Sequence, residues 1–340
     1  MSSDEAIQLT NNDASFCKSY AISKGYWSDP YLKHFCGTHS SEHKPPEISR
    51  GYFARVNAIR SRVYKFIELF DNAQVINLGA GYDTLFFDLT DKNFNFKKYI
   101  EIDFPRIVSS KIRLIRTKRA LWDKIPRPDV QEAGNNEDRG QDDFKVPSLF
   151  ARPDPVHPSL KSNSEIHLDN YDLISADLRN PNDLDSKLKA CGVNFNYPTL
   201  VIAECVLIYM SMEHSSNLLK YLTQNFDQVG FVNYEQCNLA DKFGDIMMAN
   251  MEARECRLQG TEACSNLDSQ LERFLSNGFV NTCTQVITMS EFYTTKMDRS
   301  ERHRIEAIEF LDETELLFQL MDHYCVGIAA NSELFRKIFF

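Results

Sequence analysis

The stretch Gln74–Thr84, QVINLGAGYDT, decides the fold class of this 340-residue chain. Its apolar start predicts a buried β-strand, and Gly79-Ala80-Gly81 predicts a tight turn that leads into a helix beginning at Leu85. A strand, a glycine turn and a helix in this order form the crevice of a nucleotide-binding α/β sheet. The dinucleotide fingerprint G-x-G-x-x-G would place a third glycine at Thr84, and that glycine is missing.

Two acids follow the next predicted strand, at the distance where such sheets place the acid that binds a ribose. The segment KYIEID alternates polar and apolar residues and contains Glu101 and Asp103 shortly before Pro105, which fits a helix start. A carboxylate there can accept hydrogen bonds from both ribose hydroxyls. The alternative is that both acids only cap the helix. Together with the glycine turn they favour a nucleoside ligand, and without the third glycine S-adenosylmethionine suits the pocket better than NAD.

The composition argues against several classes of function. The formal net charge is −10 and the pI about 5.4, whereas a nucleic-acid surface requires clustered Lys and Arg. No signal-peptide pattern and no apolar run long enough for a membrane span is found. Nine cysteines without C-x-x-C pairs and eight histidines without metal-binding spacing predict reduced thiols and no metal site. We therefore expect a cytoplasmic protein that binds neither nucleic acid nor membrane.

The chain is predicted to form one large domain after a short tail. We expect residues 1–15 to be disordered and residues 16–340 to be a single α/β domain. Within it, residues 16–73 are predicted to cover the carboxyl edge of the sheet, and residues 238–276 to form a helical insertion. Six of the twelve prolines lie in residues 120–165, which predicts a long, flexible, acidic insertion.

Acidic residues recur at the carboxyl ends of successive predicted strands. They are Asp83, Glu101, Asp103, Asp177 and Glu204. In a doubly wound sheet these strand ends line the crevice where ligands bind, so the acids are predicted to form one site. Glu204 lies in the most apolar strand, and a carboxylate buried there needs a partner.

Several short segments of the sequence are similar to segments found in one enzyme family. They include DASFCK, GYWSDPY, PPEISRGYFARV, INLGAGYDT, EIDFP, SADLR, VIAECVLIYM, FVNYEQ, DKFGDIM, LERFLSNG, EFLDE and LMDHYC. From about Asp13 to Cys325, outside the proline-rich insertion, the chain resembles the leucine carboxyl methyltransferases. The resemblance implies a class I S-adenosylmethionine-dependent methyltransferase fold. This is a Rossmann-like sheet of seven strands, one of them antiparallel, with a helical lid.

The resemblance also implies the site. Carried over to the matching positions, the contacts to S-adenosylmethionine come from Lys18, Arg55, Gly79, Asp103, Asp177, Leu178 and Glu204. Glu101 is expected to assist Asp103 at the ribose, and Glu204 to pair with the methionine ammonium. Arg55 and Tyr209 are the expected catalytic residues, because they would hold the substrate carboxylate. Whether Arg55 binds the substrate or the cofactor carboxylate stays open, as does a purely structural salt bridge.

The family methylates the C-terminal leucine of the protein phosphatase 2A catalytic subunit. The resemblance therefore implies that this chain, as a monomer, binds the tail and the active-site face of that subunit and forms a methyl ester that regulates holoenzyme assembly. The alternatives are another carboxylate, a tRNA wybutosine precursor, or a phosphatase-binding module without catalysis. A C-terminal carboxyl is already ionised at neutral pH, which explains the lack of a catalytic histidine or triad.

Overall fold

The computed structural model describes residues 3–36, 43–125 and 164–339. The strands in these ranges are β1 Gln74–Leu78, β2 Lys98–Asp103, β3 Ile166–His167, β4 Tyr171–Ser175, β5 Thr199–Glu204, β6 Val229–Gln236, β7 Gln285–Thr288 and β8 Tyr324–Ala330. The α-helices are α1 Ser3–Ser23, α2 Pro46–Leu69, α3 Leu85–Asp91, α4 Pro105–Thr117, α5 Arg119–Trp122, α6 Pro181–Ala190, α7 Met212–Asn225, α8 Lys242–Ala253, α9 Leu267–Leu275, α10 Met289–Glu291, α11 Arg299–Glu306, α12 Thr314–Asp322 and α13 Arg336–Phe339.

The strands form one mixed sheet in the order β3-β4-β2-β1-β5-β6-β8-β7. The five strands from β4 to β6 are parallel neighbours, and β8 runs antiparallel to both β6 and β7. The predicted α/β class and mostly parallel sheet are confirmed. The predicted number of seven strands is too low by one. The additional strand is β3, a two-residue antiparallel pairing with β4 at the edge, which is too short to leave a sequence pattern.

The central strand β1 is buried on both faces. Val75 belongs to a core that includes Val63 and Phe66 of α2, whereas Ile76 belongs to a second core that includes Leu218 of α7. A parallel sheet covered on both faces produces the continuous apolar run that marked this strand in the sequence. Each such side chain contributes roughly 1.5–3 kcal/mol when it is fully buried. The two cores therefore hold the glycine turn at the end of β1 in a fixed place.

Helix α2 carries the apolar stripe that the sequence predicts before β1. It begins with Pro46, whose fixed φ suits the first helical turn, and it buries Ile59, Val63 and Phe66 against the sheet. In the described part of the chain, no helix combines the length and the apolar character that a membrane crossing requires.

Residues 3–15 are not disordered as the sequence suggested, because they belong to α1, which extends from Ser3. Its polar residues have tertiary partners, among them Asp4, which pairs with Arg179, and Asn11, which accepts a hydrogen bond from the backbone of Tyr82. Most helical stability in proteins comes from such tertiary contacts, and composition does not reveal them.

The two predicted insertions have different outcomes. Of residues 120–165, the stretch 126–163 lies outside the described residues, and the part before it completes α5 and a turn. Residues 238–276 form α8 and α9, with a 3-10 turn at Thr261–Cys264. Helix α9 packs on the sheet, where the ring of Phe274 lies 5.8 Å from that of Phe231.

Candidate functional site

A cavity of about 310 Å³ lies across the carboxyl ends of β4, β2, β1, β5 and β6. This volume is typical of a site for a small molecule. Nine of the ten residues predicted for the site line the cavity. They are Lys18, Arg55, Gly79, Asp83, Asp103, Asp177, Leu178, Glu204 and Tyr209. The tenth, Glu101, does not.

The glycine turn and the end of β2 are tied to each other. Gly79 and Gly81 have φ values of 61° and 49°, which glycine adopts without strain. A Cβ atom on Gly79 would lie 2.6 Å from the side chain of Val206, so the turn packs against the loop after β5. Asp103 accepts hydrogen bonds from the backbone N–H of Gly81 and of Phe104, both at 2.7 Å. Burial raises the pKa of Asp103, and these donors oppose that shift.

Glu101 lies in the interior, and the prediction that it assists Asp103 is wrong. It sits two residues before the end of β2, beneath α4, and its Oε2 is 2.6 Å from Nζ of Lys111. The hydroxyl of Tyr171 also donates to it at 3.1 Å. Burial raises the pKa of Glu101 to about 7, although the charge of Lys111 opposes the shift. The role of Glu101 is therefore to join β2, α4 and β4.

Glu204 is shared by two cations. Its Oε2 lies 2.5 Å from Nε of Arg55 and 3.5 Å from Nζ of Lys18, and all three side chains are less than one-sixth exposed. Burial acts to raise the pKa of Glu204, but the charges of Lys18 and Arg55 lower it to about 2. The partner that a buried Glu204 requires is thus supplied by the protein itself. The group carries a net positive formal charge, which suits an anionic ligand.

Arg55 is also held by aromatic rings. Its guanidinium lies 4.7 Å from the ring centroid of Tyr234 and 5.7 Å from that of Tyr52. Tyr234 stacks in turn on Tyr324 of β8, with 5.3 Å between the centroids. Cation–π contacts of this kind, together with Glu204, fix the guanidinium in one orientation.

The opposite end of the cavity is closed by α1. Asp177 accepts a hydrogen bond from Nε of Arg179 at 2.8 Å, and this contact lowers the pKa of Asp177. Arg179 also forms two parallel hydrogen bonds of 3.0 Å to Asp4. A bidentate pair sets the orientation of both partners, so the start of α1 is fixed beside Asp177.

The loop after β5 places Tyr209 in the cavity. Cys205 has a φ of 57°, a conformation that is uncommon for a residue other than glycine. The following 3-10 turn, Leu207–Tyr209, is held by Glu235, which accepts a hydrogen bond from the backbone of Ile208 at 3.0 Å. Burial raises the pKa of Tyr209, so its phenol is a hydrogen-bond donor at neutral pH.

The sequence analysis missed the part of the cavity that α1 lines. The additional α1 residues are Asp4, Ile7, Gln8, Thr10, Asn11, Asp13, Ala14 and Ser15. A signal for this face exists, because steps of three or four residues back from Lys18 reach Ala14, Asn11, Ile7 and Asp4. Further lining residues that the sequence analysis did not assign to the site are Gln236, Met251, Arg254 and Tyr324. Gln236 and Tyr324 lie in the segments FVNYEQ and LMDHYC.

The strand order and the position of the cavity define the class of doubly wound α/β proteins that bind a ligand at the carboxyl ends of their strands. The structure of a candidate methyltransferase from Thermobifida fusca YX has the same fold, with a TM-score of 0.50 and 11% sequence identity over 92% of this chain and 93% of that chain. In the described part of the chain, the cavity lies at the carboxyl ends of the parallel strands, which is where this class binds its ligands.

Comparison with known sequences narrows the class to a family. The model of the family described as leucine carboxyl methyltransferase matches residues 6–223. Leucine carboxyl methyltransferase 1 of Bos taurus is 44% identical over 98% of this chain and 93% of the relative's length, and that of Rattus norvegicus 41% over 95% and 89%. The chain belongs to the leucine carboxyl methyltransferase family, as the resemblance predicts, and is an S-adenosylmethionine-dependent carboxyl methyltransferase.

A second group of relatives is more distant. The tRNA wybutosine-synthesizing protein 4 of Homo sapiens is 28% identical over 96% of this chain, but the match covers only 44% of that relative.

Proposed function

We propose that this enzyme methylates the α-carboxylate of the C-terminal leucine of the protein phosphatase 2A catalytic subunit, and that the ester regulates assembly of the phosphatase holoenzyme. The observation that carries the proposal is the group of Lys18, Arg55 and Glu204, two cations that share one carboxylate in a largely buried cavity. The relatives named above are leucine carboxyl methyltransferases, and the phosphatase follows from the sequence resemblance.

The residues of the cavity fit S-adenosylmethionine. In this proposal Asp103 binds the ribose, Asp177 and Leu178 the adenine, and Lys18 and Glu204 the two charged groups of the methionine part. An observation independent of these assignments supports the fit. The side-chain oxygen of Gln8 and the side-chain nitrogen of Asn11 are buried without a hydrogen-bond partner among the described residues. Both residues line the cavity, so a polar ligand would satisfy them.

The charges favour a carboxylate as the methyl acceptor. The group of Lys18, Arg55 and Glu204 carries one net positive formal charge. Bound S-adenosylmethionine is a net cation that supplies an electrophilic methyl group on a sulfonium sulfur. An acceptor carboxylate would place a negative charge beside this group and beside the sulfonium, whereas a neutral hydroxyl or amine would not.

The protein then has to orient and desolvate the acceptor, and it has no proton to remove. An α-carboxyl group has a pKa of ~3.3–3.7, so the attacking oxygen is already ionised at neutral pH. Arg55 and the hydroxyl of Tyr209 would hold this carboxylate in line with the methyl group and the sulfur. Alignment of this kind can be worth ~7–11 kcal/mol. As the oxygen–methyl bond forms and the sulfur–methyl bond breaks, the opposite charges disappear, which a dry site favours over water.

The test is transfer of labelled methyl from S-adenosylmethionine to the purified phosphatase 2A catalytic subunit. A form of the subunit without its last leucine, the free C-terminal peptide and tRNA serve as parallel acceptors. We expect label in the intact subunit and none in the shortened form, and the label should be lost in mild base, as an ester requires. Cofactor binding without label in any phosphatase-derived acceptor would refute the substrate, and label in tRNA would favour the wybutosine alternative.

A further inference from the structure

The side-chain oxygen of a buried amide at the end of the cavity has no hydrogen-bond partner in the described part of the chain. Gln236 is the last residue of β6, is 6% exposed and lines the cavity. Its side-chain oxygen accepts no hydrogen bond from any residue in the described ranges. The backbone carbonyl of the same residue is satisfied by the side chain of Gln270 at 2.9 Å. Because buried polar groups are nearly always paired, the free amide oxygen indicates a donor on a ligand.

The position of Gln236 in the sheet indicates that its side chain contacts the methyl acceptor and not the cofactor. The cavity passes from Asp177 at β4 over Asp103 at β2 to Glu204 at β5, and β6 is the next strand. Glu204 pairs in register with Tyr234, so Gln236 lies two residues further along β6, on the same face of the sheet. It pairs in register with Tyr324 of β8, which also lines the cavity and whose hydroxyl is a hydrogen-bond partner of the Gln236 side chain. Gln236 therefore lies beyond the residues proposed for the cofactor.

The chemistry of the acceptor then limits what the donor can be. A carboxylate has no hydrogen to donate, and the cofactor ammonium is assigned to Glu204. The remaining donor close to an α-carboxylate is the main-chain N–H of the residue that carries it. We propose that Gln236 accepts a hydrogen bond from this terminal amide N–H, so that the enzyme selects the end of a peptide chain over carboxylates without an adjacent amide. The inference rests on the proposed function and specifies how its substrate is recognised.

The test compares two acceptors that differ only in this N–H. The phosphatase 2A catalytic subunit is completed by ligation with a last residue that is either leucine or the corresponding 2-hydroxy acid, which replaces the terminal amide by an ester. We expect the wild-type enzyme to prefer the amide form by at least about tenfold in kcat/KM, because the ester leaves the amide oxygen of Gln236 unpaired. In Gln236→Met this preference should fall to about twofold or less, since no unpaired acceptor remains.

Two controls separate recognition from folding. Gln236→Met should bind S-adenosylhomocysteine as tightly as the wild type in calorimetry. Gln285→Met makes the same chemical change on β7, away from the cavity lining, and should keep both the rate and the preference. Equal rates for the two acceptors with the wild type, or an unchanged preference in Gln236→Met, would overturn the inference. Wild-type enzyme that labels neither acceptor would instead refute the proposed function and the inference with it.

Discussion

Glu204 is a carboxylate kept ionised in a largely buried site by Arg55 and Lys18. We expect Glu204→Gln to lower the free energy of unfolding by about 3 kcal/mol, because it leaves two buried cations without a counter-charge. Affinity for S-adenosylhomocysteine should fall as well. Urea unfolding and calorimetry measure the two effects. Glu213→Gln, an exposed change on α7, is the matched control, and equal stability of the two variants would contradict the proposed charge balance.

Glu235 should make stability depend on pH in the opposite sense to Glu204. Burial raises the pKa of Glu235 from 4.5 to about 7, against the charge of Arg273. The folded state therefore binds more protons than the unfolded state between these values. The contribution of Glu235 is fully present below about pH 4.5 and is lost as the pH rises to 7.

Unfolding measured from pH 4.5 to 7 in wild type and Glu235→Gln tests this sign. We expect the stability of the wild type to decline relative to the variant as the pH rises. A constant difference between the two proteins across this window would show that Glu235 does not titrate there. Glu204, with its lowered pKa, adds a separate loss only when the pH falls from 4.5 towards 2.

At the scale of residues, the sequence predicts which strand ends carry acids but not how deep each acid lies. Asp103 and Glu101 share one face of β2, and only the residue nearer the strand end reaches the cavity. The depth of Glu101 depends on Lys111 of α4, which no local pattern connects to it. Lys18 and Arg55, which pair with Glu204, lie on α1 and α2, and no local sequence pattern connects them to Glu204.

At the scale of elements, α1 is a wall of the cavity. We expect deletion of residues 1–12 to lower affinity for S-adenosylhomocysteine by at least about tenfold, because a polar ligand loses several hydrogen-bond partners. The deletion removes Asp4, which holds Arg179, and Asn11, which holds the turn at Tyr82. Calorimetry gives the affinity, and circular dichroism shows whether the sheet remains folded.

A point change on the same helix serves as the control for this deletion. Leu9 is 43% exposed and does not line the cavity, so Leu9→Ala should leave the affinity unchanged. A folded deletion protein that binds S-adenosylhomocysteine as tightly as the wild type would contradict the role given to α1.

The sequence predicted disorder where α1 forms, because the face of α1 that lines the cavity is mostly polar. A helix that covers an aqueous ligand site does not show the apolar stripe that marks α2, and the segment therefore looks like a disordered tail. The strained backbone at Cys205 was equally hidden, since no residue type at that position demands a positive φ.

At the scale of the whole molecule, one sheet edge carries the entire site. Strands β4, β2, β1, β5 and β6 each contribute at their carboxyl ends. The chain forms β1, β2 and β4 on one side of the sheet and then crosses back to place β5 on the other side of β1. The sequence predicted this edge because buried strands and glycine turns are local signals. It did not predict the two-residue β3, since so short an edge pairing is decided by its neighbour β4.

The central claim is that cofactor and acceptor occupy a single cavity, with the acceptor carboxylate at Arg55. The most direct measurement is a crystal structure of the enzyme with S-adenosylhomocysteine and a peptide that ends in leucine. We expect the ribose at Asp103, the terminal carboxylate between Arg55 and Tyr209, and the last amide N–H at Gln236. A peptide carboxylate bound away from Arg55, or a cofactor outside the cavity that α1 covers, would contradict the claim.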